Sequence, residues 1–166
     1  ISVGADIPVL ESTEALIERI SQAVDEGFPR VKLKYNRSCT VEMIEKVRKT
    51  YPDLIMHIDC NSGFTLNDIE MFQKLDRLNL KMIEQPLGYD DLVDHAELQK
   101  ELQTPICLDE SITSVNRAVK AIKIGACQWI NIKTSRVGGL TNALKIHDLC
   151  RDYGVPVWVG GMLESA

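Results

Sequence analysis

Apolar residues along this chain fall into two alternating patterns. Short runs rich in β-branched residues occur at Ser2–Asp6, Arg30–Lys34, Leu54–Asp59, Lys81–Glu84, Ile106–Asp109, Gln128–Lys133 and Val155–Val159. Such runs predict strands. Between them the apolar positions recur with helical spacing. Leu16, Ile20, Ala23 and Val24 stand at i, i+4, i+7 and i+8, and Gly27 sits where that helix would end. Thr65 followed by Asp68 reads as a capping box that opens the third helix, and Gly125 and Gly154 close later ones. Strands alternating with helices imply βαβ units and a parallel sheet. No low-complexity stretch or linker breaks the series, so residues 1–166 read as one domain.

The charged residues at the strand ends add a period. Lys34, Asp59, Glu84 and Asp109 follow one another at intervals of 25 residues, and Lys133 follows Asp109 after 24. That interval is the length of one β/α unit. In a (β/α)₈ barrel the functional side chains come from the C-terminal ends of the strands and converge on one face. An open doubly wound sheet also alternates, but its ligands gather at one switch point rather than at five successive strand ends. The pattern therefore predicts an α/β fold, a TIM-type (β/α) barrel. Seven β/α units are legible, and a complete barrel of about 250 residues needs an eighth strand.

Composition and charge narrow the function classes. The 166 residues are 45% hydrophobic and 26% charged, with a net charge of -5. That suits a globular domain, and it leaves no basic footprint for nucleic acid. No apolar run approaches the roughly 18 residues of a membrane-spanning helix, and no signal peptide is visible. The five cysteines, an odd number with no C-x-x-C pair, predict buried free thiols and a reducing, cytoplasmic setting.

The chemistry lies in three acids and three lysines. Asp59 stands in Ile-Asp-Cys-Asn, Glu84 in Ile-Glu-Gln-Pro and Asp109 in Leu-Asp-Glu-Ser. A lone acid at a strand end is usually a helix cap or a loop charge. Three brought together repel one another unless a cation lies among them, and ligands offering only oxygen favour a hard ion such as Mg²⁺. Lys32 and Lys34 form Lys-Leu-Lys, so both point into the barrel while Leu33 points toward the helices. A neighbouring cation and partial burial lower a lysine's pKa and make it a usable base. Lys133, on the sixth strand, should face Lys34 across the cation.

These motifs resemble the enolase superfamily, muconate-lactonizing subgroup. Lys-Leu-Lys, Ile-Asp-Cys-Asn, Met-Ile-Glu-Gln-Pro-Leu, Ile-Cys-Leu-Asp-Glu-Ser-Ile, Ile-Asn-Ile-Lys, Arg-Val-Gly-Gly-Leu and Val-Trp-Val-Gly-Gly-Met-Leu-Glu follow in the family's order from Val3 to Glu164. Within the subgroup the chain is most similar to the o-succinylbenzoate synthase and N-acylamino acid racemase family. The resemblance implies Mg²⁺ or Mn²⁺ on Asp59, Glu84 and Asp109. It implies Lys34 as general acid/base, Lys133 as the lysine of the opposite face, and Lys32 as an assistant that holds the substrate carboxylate or depresses the pKa of Lys34. Asn61 would lie beside the metal, Glu110 would be a partner of Lys133, and Gly160, Gly161 and Met162 would line the substrate pocket.

The activity so implied is abstraction of a proton next to a carboxylate, through an ene-diolate. It would serve o-succinylbenzoate synthesis in menaquinone biosynthesis, N-acylamino acid racemisation, or both. Dipeptide epimerase and muconate cycloisomerase are further relatives with the same machinery. A different class is a non-catalytic fragment or scaffold that retains the site residues. The resemblance also implies a small-molecule carboxylate as partner and a homo-oligomeric full-length protein. That protein would include an N-terminal capping domain and an eighth strand beyond this chain. The mandelate-racemase branch uses a histidine at the end of strand seven, and none stands there. Of the three histidines, His57 reads as a core-layer residue, and His95 and His147 as surface or helix-packing residues. Two departures from the family stand out. Cys60 replaces an alanine and should point away from the site, and Tyr35–Cys39 replaces a Gly-containing loop.

Overall fold

The computed structural model describes residues 3–162. Ser2 of the first expected strand, and Leu163 and Glu164 of the last motif, lie outside the described residues. Strands and helices alternate: β1 Ala5–Ile7, α1 Thr13–Asp25, β2 Arg30–Lys34, α2 Val41–Thr50, β3 Ile55–Asp59, α3 Ile69–Leu75, β4 Ile83–Glu84, α4 Val93–Glu101, β5 Ile106–Leu108, α5 Val115–Lys123, β6 Trp129–Ile132, α6 Leu140–Asp152 and β7 Val157–Val159. The strands pair in sequence order, each pair parallel, as a partial (β/α) barrel. A cleft of about 540 Å³ separates β1 from β7, with Asp6, Lys32, Asn131, Lys133, Trp158 and Gly160 among its walls.

Alternation along each strand sends apolar and polar side chains to opposite faces. Val31, Leu33, Met56, Ile58, Ile83, Ile106, Leu108, Ile130 and Ile132 are buried and share one core with the helices. The helices contribute Leu16, Ile20 and Ala23 of α1, Ile44 and Val47 of α2, Phe72 and Leu75 of α3, and Ile146 of α6. The inner face of the sheet carries the charged and polar groups, with Trp158 packed against His57 among them. Val24, expected inside, is 39% exposed. Successive residues stand about 100° apart round a helix, and the buried stripe of α1 ends at Ala23.

Local signals set the element ends. Ser12, Thr40 and Ser114 accept hydrogen bonds from the backbone N–H of Ala15, Met43 and Arg117 and so start α1, α2 and α5. Thr65 N–H donates to the Asp68 carboxylate at 2.9 Å, and a 3₁₀ turn at Leu66–Asp68 leads into α3. Gly27 takes φ 86°, a left-handed stop that a side chain would strain, and Gly125 and Gly154 stop α5 and α6 likewise. β2 has the expected bounds and β1 runs on to Ile7, while the other five strands are shorter than expected. β4 begins at Ile83 and stops at Glu84, where Gln85, at φ 37°, turns the chain out of the sheet.

Candidate active site

Register brings the five charged residues to one height. Lys34 is level with Asp59 and Asp59 with Glu84. Glu84 is level with Cys107, so Asp109 lies two residues further along. Continuing the β5–β6 register puts Asp109 opposite Asn131, and Lys133 again lies two residues on. A closed eight-strand barrel advances by about one residue per strand. Two level steps and two steps of two residues average to that stagger. Side chains whose strand registers differ therefore reach the rim together.

Each outer acid has its own cations. Asp59 is buried, and its Oδ2 lies 2.7 Å from the Lys34 ammonium and 3.0 Å from that of Lys32. Burial alone would raise the Asp59 pKa, but the two lysines outweigh it and hold the carboxyl below its ordinary range. Lys32 also reaches Asp6 at 3.3 Å and lies over the Trp158 ring. Burial pulls its pKa down, yet Glu84, Asp59 and Asp6 together push it above the usual lysine range. Lys32 is thus a fixed cation. On the other wall, Asp109 Oδ2 lies 2.7 Å from Lys133 Nζ, and Oδ1 accepts from Arg136.

Glu84 stands between these pairs and is fully buried. Its Oε1 accepts from Asn131 Nδ2 at 2.9 Å. Its Oε2 has no hydrogen-bond partner, with His57 Nε2 3.4 Å away outside bonding geometry. His57 is buried, and its ring meets Trp158 edge-on. Among the described residues no three His, Cys, Asp or Glu are grouped closely enough to cage a cation, since each outer acid is turned to its own ammonium groups. The donor set nevertheless suits a hard divalent ion: three acids offer oxygen alone, and one buried oxygen is satisfied by no protein group.

One placement differs from expectation. Glu110 does not meet Lys133. Its Oε1 accepts from Asn61 Nδ2 at 3.0 Å, because the Lys133 ammonium is taken by Asp109. Asn61, at φ 43°, also accepts from Lys34 at 2.9 Å and donates its backbone N–H to Asp59. It therefore bridges the second and fifth strand ends through Lys34 and Glu110. Of the two readings open for His95, surface or helix packing, its full burial on α4 fits the second. Cys60 is buried, and burial pushes its thiol pKa up. All five cysteines are unpaired.

Gly160, one of the three expected pocket residues, lies against Asn131. A Cβ there would come within 2.5 Å of Asn131 Oδ1 and 2.9 Å of its Nδ2. Asn131 is buried and engaged with Glu84, so it has little room to yield. Gly160→Ala is expected to lower stability by about 1–3 kcal/mol, as overpacking does. It should also displace Asn131 from Glu84. An unchanged thermal midpoint would show that the rim relaxes freely. Gly161 and Met162 are exposed beside it.

Sequence reasoning missed Asn131, Arg136 and Gln85. Asn131 was legible: it lies two residues before Lys133 and so shares its face. Arg136 follows in the turn after β6, where no periodicity fixes direction.

The sequence pattern of the "Enolase C-terminal domain-like" family matches residues 15–166. The chain is 50% identical over 165 residues to the o-succinylbenzoate synthase of Geobacillus kaustophilus, covering 99% of this chain and 44% of that protein. It is 42% identical over 165 residues to the N-succinylamino acid racemase of Thermus thermophilus, covering 99% and 45%. Among solved structures, an enolase-superfamily member from Listeria innocua superposes with a TM-score of 0.95 at 45% identity, over 99% of this chain and 44% of that one. A dipeptide epimerase from Cytophaga hutchinsonii, complexed with Mg and the dipeptide D-Ala-L-Val, superposes at 0.88 with 30% identity, over 97% and 45%. The chain thus spans less than half the length of these relatives. No helix among the described residues is long and apolar enough to cross a membrane.

Proposed function

The chain belongs to the enolase C-terminal domain-like family, and on that premise we propose that the whole protein abstracts the proton next to a substrate carboxylate with the help of a divalent cation. The reaction is that of an o-succinylbenzoate synthase in menaquinone biosynthesis, of an N-acylamino acid racemase, or of both. One observation carries the reading: two lysines on opposite walls, each paired with an outer acid, flank a buried Glu84 that has an unsatisfied oxygen. Asp59, Glu84 and Asp109 would hold Mg²⁺ or Mn²⁺. The Mg in the dipeptide epimerase complex supports that choice of ion. When bound, the ion neutralises the second negative charge that develops on the substrate carboxylate.

The chain's own residues supply the rest. Lys34 keeps 30% of its side chain open to solvent and takes the proton from its wall. Lys133, on the other wall, stands as a fixed cation in dehydration and delivers a proton to the opposite face in racemisation. Lys32, held charged, meets the substrate carboxylate. Gly160, Gly161 and Met162 line the substrate pocket. Unpaired thiols at all five cysteines fit a cytoplasmic setting.

The test is metal removal. Chelation of the whole protein with EDTA is expected to abolish whichever of the two turnovers it shows, dehydration to o-succinylbenzoate or racemisation of N-acylamino acids, and Mg²⁺ to restore it. Glu84→Gln should not be restored. Undiminished turnover after chelation would sink the proposal, and no turnover at saturating Mg²⁺ would leave a scaffold that merely retains these residues.

A further inference from the structure

We infer that Gln85 is a positioning residue for Asp109: its side-chain amide replaces a backbone link of the sheet and sets where that carboxylate stands. The inference rests on the proposed role of Asp109 as a cation ligand. Between β4 and β5, Ile83 N–H donates to the Pro105 carbonyl at 2.9 Å and Gln85 N–H to the Cys107 carbonyl at 2.8 Å. In a regular parallel ladder the next bond would run from Asp109 N–H to the Gln85 carbonyl. The left-handed φ of Gln85 turns that carbonyl to the other neighbour, where Ser62 N–H takes it at 2.9 Å.

The side chain fills the gap. Gln85 Oε1 accepts from Asp109 N–H at 3.0 Å and from Ser111 N–H at 3.1 Å. Its Nε2 donates to Ser111 Oγ at 2.8 Å and to the Leu87 carbonyl at 3.1 Å. A fully buried amide thus has all four of its hydrogen-bonding positions occupied. His95 backs it. Its Nε2 accepts from Leu87 N–H at 3.2 Å, and its Nδ1 meets the Asp91 carbonyl. Burial lowers the His95 pKa, against the raising effect of Asp91, in keeping with an Nε2 that accepts from Leu87 N–H. Gln85 is next to Glu84 in the chain and bonded to Asp109, so one amide couples the spacing of two acids on adjacent strands.

Gln99 provides a matched control. It is a buried amide at the opposite end of β5, where Oε1 accepts from Ile106 N–H at 2.7 Å and Nε2 donates to the Leu102 and Thr104 carbonyls. Gln85→Met and Gln99→Met, made in the whole protein, each remove one such clamp. Calorimetric titration with Mn²⁺ is expected to show about 10- to 100-fold weaker affinity in Gln85→Met, the usual effect of losing a residue that orients a ligand. Its activity deficit should shrink as Mg²⁺ is raised. Gln99→Met should lower the thermal midpoint while keeping wild-type Mn²⁺ affinity. Should Gln85→Met not fold, Gln85→Asn takes its place, since it draws the amide back by one methylene. Wild-type affinity in the Gln85 variant overturns the inference, as does an equal loss in Gln99→Met. A wild-type protein with no Mn²⁺ affinity sinks the cation reading instead. The inference is then decided by amide exchange at Asp109 and Ser111, which the Gln85 variant must accelerate and Gln99→Met must not.

Discussion

Lys34→Ala and Lys133→Ala, each made in the whole protein, are expected to lower kcat by about 10²- to 10⁴-fold, the usual contribution of a positioned acid or base. The fold should survive both. Without Lys34, Asp59 still has Lys32 at 3.0 Å; without Lys133, Asp109 still has Arg136. Neither acid is left as an uncompensated buried charge, which is what makes removal of one ion-pair partner so destabilising elsewhere. Circular dichroism and the thermal midpoint check the fold, and kcat checks the chemistry. Full activity in either variant would refute the assignment. The pair also separates the two activities. Dehydration asks Lys133 only for positive charge, so Lys133→Arg should retain part of it. Racemisation needs Lys133 to exchange a proton, and arginine stays protonated. In D₂O, each alanine variant of a racemase should wash out the α-proton of at most one enantiomer.

Arg48→Ala should be strongly destabilising although it lies outside both the site and the apolar core. The Arg48 guanidinium, on α2, donates to five backbone carbonyls: Leu78 through Nε at 2.9 Å, Tyr51, Pro52 and Leu54 through Nη1 at 3.2, 2.9 and 2.9 Å, and Asn79 through Nη2 at 2.8 Å. It ties the α2–β3 loop to the turn that leads into β4. Alanine leaves several part-buried carbonyls without a donor, and the expected loss is about 2–4 kcal/mol. Arg48→Lys keeps the charge but gathers its donors on one nitrogen, so it should recover only part. Urea unfolding of the whole protein measures both. A loss under about 1 kcal/mol for alanine would mean that water replaces the guanidinium, as it does at many exposed sites. The clasp lies at the N-terminal end of β3, away from Asp59, so Mn²⁺ affinity should not change.

Much of the site was open to reading because a strand fixes the direction of its own side chains. Lys32 and Lys34 had to share the inner face, and Leu33 had to join the core, whatever surrounded them. The recurrence of Lys34, Asp59, Glu84, Asp109 and Lys133 at one β/α interval marked successive strand ends, and a parallel barrel gathers those at one rim. Helix stops at Gly27, Gly125 and Gly154 were equally local, because a left-handed φ is a property of one residue.

Pairing across the site was a different matter. Glu110 was expected at Lys133 and is found on Asn61; for His95 the sequence left surface and helix packing open, and it is buried behind Gln85. Arg136 opens the Arg-Val-Gly-Gly-Leu motif but was given no role, because it lies in a turn where neither the helical nor the strand period applies. The sequence by itself determined which residues point inward and at which strand end they stand, since backbone alternation and the β/α period act over a few residues. Only the tertiary structure decided which acid each ammonium neutralises, that Glu84 keeps an unsatisfied oxygen, and that a glutamine side chain completes the sheet beside Asp109. Those outcomes depend on register and stagger between strands joined through whole helices, and on the left-handed turn at Gln85 that redirects a carbonyl from one neighbouring strand to the other.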